Sequence, residues 1–411
     1  MKSLKFVLLL LTLGLVSACT SSDDAEQAVF AVPEIKSLIE LRGNITVESA
    51  QPTNSDGKIY VTQNYLFYIA QESGIHIFNN TNPANPQNIA FINLEGVHDI
   101  AVKGNYLYAD NFIDLVVFDI SNINAISVVQ TVENAFEFYP TYPEDAEFYD
   151  FTKYPGENEL IVGYRLESRN RPSEQLIMTM EGALASFDGG SNYVGNGGSF
   201  AKFQINNNAL YAVENFELNV FDITNPIEAS FDKAVYMNTW LGGGMFETLF
   251  KQKEFLFIGA TNGMYIINAE DEFNPYFVSG FSHATACDPV VVHENTAYIT
   301  VRGGSTCGAI QDQVNVIDIT DISNPTLLST YFLSQPYGLG IRNNILYVCA
   351  NGKLNIFDAA TNTLVLENSI TEELKDVIAL DTHLIAVGLN KIIQYQYGAD
   401  FTLTPISTVS F

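Results

Sequence analysis

Apolar residues fall in short runs along nearly the whole chain, and the runs end in a recurring way. An apolar stretch stops at an Asp or Asn, and a turn follows. The pattern reads Gly74-Ile-His-Ile-Phe-Asn79, Asp114-Leu-Val-Val-Phe-Asp119, Glu217-Leu-Asn-Val-Phe-Asp222, Gly263-Met-Tyr-Ile-Ile-Asn268, Gln313-Val-Asn-Val-Ile-Asp318 and Lys353-Leu-Asn-Ile-Phe-Asp358. A worn seventh copy is Lys391-Ile-Ile-Gln-Tyr-Gln396. Copies end roughly forty residues apart, except for the long step from Asp119 to Asp222.

A second apolar run precedes each copy, as in Tyr65–Ala70, Leu210–Val213, Phe255–Gly259 and Leu346–Cys349. A third lies before that, as in Asp99–Val102, Pro289–Val292 and Asp376–Leu380. After the Asp comes an Asn-Pro turn or its equivalent, at Asn82-Pro83, Asn225-Pro226, Asn274-Pro275 and Asn324-Pro325. Proline lacks an N–H and forces the residue before it to be extended, so a strand stops there. A fourth run follows, as in Ala125–Val132 or Thr326–Phe332. Four short strands per unit, rich in β-branched and aromatic residues, predict an all-β propeller, most simply of seven four-stranded blades. A β-sandwich does not repeat in this way, and solenoid coils are usually shorter.

Two stretches break the repeat, and function is commonly grafted where a repeat is broken. The first is an insertion at about 134–198. It holds many aromatics and three of the six arginines, Arg165, Arg169 and Arg171, and it ends Gly-rich. It reads as a decorated loop with its own packing cluster, as a degenerate eighth blade, or as a binding lid. The second is the loop Gly303–Asp312, which carries Cys307. Propeller geometry puts both on the face where the innermost strands begin. Cys287 begins such a strand, so a Cys287–Cys307 disulfide is expected, with Cys349 left free inside an apolar strand.

Acidic residues recur at that face: Asp99, Glu247, Asp288 and Asp376, with Gly338 in the sixth copy. Such carboxylates can accept backbone N–H bonds and brace the ring. Alternatively they can supply oxygen ligands to a divalent cation. His98 beside Asp99, with His283 and His293, shows no ligand spacing and reads as packing. No cofactor motif, no catalytic serine elbow and no phosphate-binding loop is present.

Composition narrows the partners. The formal net charge is -28, from 19 Lys+Arg against 47 Asp+Glu. That argues against nucleic acid and against docking on anionic lipid. The chain opens with Lys2 and Lys5 and an apolar run from Phe6 to Val16, the layout of a cleavable export signal. The run ends Leu15-Val-Ser-Ala-Cys19, which resembles the lipobox of bacterial lipoproteins and implies acylation of Cys19. Thr20 to Glu26 is a polar, acidic tether, similar to the surface-export signal of Bacteroidetes lipoproteins. The expected organisation is a signal peptide at 1–18, then lipidated Cys19, tether and cap segment at 19–51, then the propeller at 52–411.

The pairs Leu107-Tyr-Ala-Asp110 with Leu115-Val-Val-Phe-Asp-Ile120, and Phe281–Val292, resemble the LVIVD-repeat family of bacterial β-propeller lipoproteins. The resemblance implies a propeller and an envelope location; the lipobox and the acidic tether add the expectation of an outer-membrane lipid anchor, at the cell surface or on the periplasmic face. It implies no activity. The expectation is a binding or scaffold protein for a glycan, peptide or envelope protein. The alternative is a metal-assisted hydrolase or lyase using the acidic ring.

Overall fold

The computed structural model describes residues 26–52, 57–71, 73–138, 140–171, 199–237, 244–282, 289–303 and 311–410. The chain divides into two compact units. The larger contains residues 39–139 and 189–411. It holds seven antiparallel sheets, each built from consecutive strands.

The seven third strands of the repeat are formed as the sequence predicts, from Gly74–Asn79 in the first blade to Lys391–Tyr397 in the seventh. The terminal Asp or Asn has a definite task. Its side-chain oxygen accepts the N–H of the residue two positions on, in an Asx turn. The bonds run from Thr81 to Asn79, Ser121 to Asp119, Thr224 to Asp222, Glu270 to Asn268, Thr320 to Asp318 and Ala360 to Asp358, at 2.8–3.1 Å. In the worn seventh copy Gln396 instead donates to the Thr382 carbonyl.

Every blade carries a register shift between its third and fourth strands, for example between Ile77 and Phe78 or between Val316 and Ile317. An extra residue at this point strengthens the twist of the outer strand.

Alternation then closes the ring. In the first blade Phe67, Ile69, Ile75 and Ile77 face the second blade, while Leu66, Tyr68, Ala70 and Phe78 face the seventh. The same alternation gives seven apolar clusters, one between each pair of neighbouring blades, including the seventh and the first. Both faces of each blade are thus buried, at roughly 25 cal/mol per Å² of apolar surface removed from water.

The N-terminal segment divides between the units. Thr46–Ser49 adds a fifth strand outside Gln87–Asn93 of the first blade. Gln27–Ser37 is the centre of a three-stranded sheet in the smaller unit, with Phe148–Tyr149 parallel on one side and Glu159–Asn170 antiparallel on the other. The described part of the insertion is therefore a sheet with a strand borrowed from the N-terminus, rather than a four-stranded blade.

Candidate functional site

The innermost strands define the channel. Their registers identify one position per blade: Lys58, Asp99, Lys202, Thr248, Pro289 and Asp376 each pair with the equivalent residue of the second strand. In the sixth blade that place falls in a bulge next to Gly338. The layer therefore mixes two lysines with two carboxylates. Glu247 does not share the register of Asp99 and Asp376, because a shift between Phe246 and Thr248 sets it one residue aside. Asp288 lies outside the described residues.

The two carboxylates of this layer are deeply buried, Asp99 at 1 % exposure and Asp376 at 3 %. One oxygen of Asp99 accepts from the N–H of Ile100 at 2.8 Å. The other accepts from the N–H groups of Lys202 and Phe203 in the third blade and faces Lys58 Nζ of the first blade at 3.7 Å. One residue thus ties three blades together. Burial pushes the Asp99 carboxyl up and the Lys58 ammonium down, and their mutual attraction opposes both shifts.

Asp376 is held by a different device. Its Oδ1 accepts from the Ser199 hydroxyl at 2.9 Å and from the Ser199 N–H at 3.3 Å. The same hydroxyl oxygen accepts the Leu339 N–H at 2.9 Å. Ala201, two residues on, accepts the Leu249 N–H of the fourth blade through its carbonyl. Residues 199–202 therefore run across the channel end, with contacts to the second, fourth, sixth and seventh blades. Gly338 leaves room for the carboxylate, since a Cβ there would lie 2.1 Å from Asp376 Oδ1. Burial raises the Asp376 carboxyl to about 7. Asp376 Oδ2, Lys58 Nζ and Thr248 Oγ1 are buried without a hydrogen-bond partner.

Beside this layer lies a second arrangement, absent from the other blades. Asp110 stands in the second strand where they have Ile69, Val213, Gly259, Thr300, Cys349 and Val387. Its Oδ1 accepts the N–H groups of His98 and Asp99 at 2.8 and 2.7 Å, and its Oδ2 takes His98 Nδ1 at 2.9 Å. Burial pushes this carboxyl up, but the bonds from His98 and the two N–H groups outweigh it and hold the group below the ordinary carboxylate range. Sequence reasoning left His98 as packing. The missed signal was Asp110, a charge at a position that is apolar or small and uncharged in the other six copies.

The arginines of the insertion belong to the smaller unit, and each meets a carboxylate there. Arg165 pairs with Glu167. Arg169 bridges Glu167 and Asp150, and its guanidinium lies 5.3 Å from the Phe30 ring. Arg171 pairs with Glu147 and lies 5.7 Å from the Phe148 ring. Tyr142, Tyr149 and Tyr164 pack together, with Phe151 against Tyr149. Phe151 and Tyr154 remain exposed.

Cys19, Cys287 and Cys307 lie outside the described residues, so the lipid anchor and the disulfide are not located here. Cys349 is a free, fully buried thiol between the sixth and seventh blades. Among the described residues no group of three or more His, Cys, Asp or Glu is placed to hold a metal ion.

The model of the LVIVD repeat matches residues 96–133 and 285–332, in the second and fifth blades. The chain carries LVIVD repeats. No curated protein is similar enough in sequence to match. Among solved structures, a 6-phosphogluconolactonase-like protein from Bacteroides fragilis is similar at 10 % identity, over 95 % of this chain and 96 % of that one, with a TM-score of 0.54. A protein from Lactobacillus plantarum follows at 12 %, 94 %, 97 % and 0.53. The periplasmic gluconolactonase of Pseudomonas aeruginosa gives 10 %, 89 %, 96 % and 0.53. At such identities the likeness is one of fold: the LVIVD-repeat chain is a β-propeller.

Proposed function

We propose that this LVIVD-repeat chain is a non-catalytic binding or scaffold propeller, held to the bacterial outer membrane through acylated Cys19 and displayed at the cell surface. Its partner is a glycan, a peptide or another envelope protein. The observation that carries this reading is the use made of Asp99 at the channel end. Asp99 spends both oxygens on backbone N–H groups and on Lys58, and residues 199–202 lie across the layer. A carboxylate committed in this way braces the frame and offers no free oxygen to a substrate or a hard cation, which takes six to eight oxygen ligands.

The anchor rests on the Leu15–Cys19 sequence and the polar tether after it. Acyl chains contribute about 0.8 kcal/mol per buried CH₂, so several together hold a protein at a bilayer. The test incubates the purified protein with envelope polysaccharides and with cross-linked envelope proteins, with and without calcium. The reading expects saturable binding without turnover. Calcium-dependent cleavage of a polysaccharide, abolished in Asp99→Asn, would instead establish the metal-assisted hydrolase or lyase.

A further inference from the structure

The pair His98–Asp110 is built for more than packing. Asp110 is ionised and buried, and it accepts three donors: the N–H groups of His98 and Asp99 and the ring Nδ1–H of His98. The ring Nδ1 is thereby committed to Asp110, which leaves Nε2 as the ring's other polar atom. The side chain is 30 % exposed, and among the described residues nothing bonds to Nε2.

The surroundings are equally specific. Phe138 lies 6.3 Å from the His98 ring and packs edge-on against Phe112 at 4.8 Å. Phe112 has a φ of 51°, costly for a bulky residue. Gly96 makes room for it, since a Cβ there would lie 2.4 Å from the Phe112 ring. A strained aromatic, a glycine that accommodates it and a charge at an otherwise apolar or small uncharged strand position converge on one half-exposed imidazole. Strain of this kind clusters at binding sites.

We propose that His98 Nε2 and the Phe138 ring form a binding site for an uncharged, hydroxyl-bearing ligand, a saccharide. An anion would meet the carboxylates of Asp99 and Asp110 behind the ring. A cation would find their oxygens already spent on N–H groups, on His98 and on Lys58. What the site offers is one imidazole nitrogen beside one apolar ring. A sugar hydroxyl, able both to donate and to accept, pairs with the first, and the C–H face of the sugar rests on the second. Asp110 is a positioning residue, since it holds the ring through Nδ1 and touches no ligand. The inference rests on the binding reading above and can fail without it.

The experiment uses the full chain with ¹⁵N-labelled histidine rings, titrated with cello-, malto-, xylo- and chito-tetraose and with a neutral Gly/Ser peptide. At least one saccharide is expected to shift the His98 Nε2 resonance saturably. Phe138→Ala and His98→Ala should weaken that saccharide at least about tenfold. Asp110→Asn should shift both ring-nitrogen resonances of His98 and weaken binding too. The inference is overturned if no saccharide moves the Nε2 signal, if only the peptide does, or if saccharide affinity survives both Phe138→Ala and His98→Ala. In the last case the protein still binds saccharide, but elsewhere.

Discussion

Gln394 and Asn80 exchange two hydrogen bonds, Gln394 Nε2 to Asn80 Oδ1 at 2.8 Å and Asn80 Nδ2 to Gln394 Oε1 at 3.1 Å. The pair spans the seam between the seventh blade and the first. Each blade uses consecutive strands, so no shared strand locks the ring here, and side chains must do so. Gln394 stands where the other copies have Ile77, Val117, Val220, Ile266, Val316 and Ile356. His383 Nε2 lies 2.8 Å from the same Gln394 oxygen and completes the clasp.

Breaking one side of this clasp leaves buried polar atoms unpaired. Gln394→Leu should cost about 1–3 kcal/mol in chemical denaturation. The double variant Asn80→Leu with Gln394→Leu should cost less than the sum of the single changes, because the orphaned partner is gone. Additive losses would show that the two amides do not pair in solution.

Asp376 gives stability a pH dependence with a definite sign. Burial raises its carboxyl to about 7 in the folded protein, from the ordinary value of 3.8. Its protonated form therefore favours folding fully below about pH 4, and that contribution is lost as pH rises through about 7. Asp376→Asn, which cannot ionise, should flatten the slope of stability between pH 4 and 7 and melt higher than the native protein at pH 8. Urea melts across this range check it, and an unchanged slope would refute the assignment.

Gly338 tests the close approach to the same carboxylate. Gly338→Ala should cost about 1–3 kcal/mol through overpacking. Combining it with Asp376→Ala should recover part of that loss, measured by thermal melts of all four proteins.

Much of the ring was legible in the sequence, because its signals are local. Apolar alternation, the Asx residue and the Asn-Pro turn all lie within one blade, and they placed strands such as Thr326–Phe332 to the residue. The pairing of Gln27–Ser37 with Glu159–Asn170 was not legible, since its partners are far apart and no short-range pattern joins them. The acidic ring was legible only in part. A one-residue bulge separates Glu247 from the layer of Asp99 and Asp376 and leaves no trace in composition. Nor did spacing announce that Lys58 would share that layer with Asp99.

The N-terminal and cysteine expectations lead to one mass-spectrometric measurement. Protein from its native host should begin at an acylated Cys19. Non-reducing peptide maps should join Cys287 to Cys307, a loop that the chain-entropy model values at roughly 3 kcal/mol. Cys349, whose thiol burial pushes well up, should stay unmodified until the protein unfolds. A bridge that includes Cys349 would contradict its place in the core.

The central claim is that Asp99 braces the ring and holds no cation. The most direct measurement is thermal unfolding of the native protein and of Asp99→Asn, each in chelator and in calcium. The account predicts a lower melting temperature for Asp99→Asn by the same amount in both solutions, because the amide keeps a single acceptor oxygen and loses its charge, so it cannot serve both Ile100 on one side and Lys202, Phe203 and Lys58 on the other. A large calcium-dependent rise in the native protein that vanishes in Asp99→Asn would contradict it.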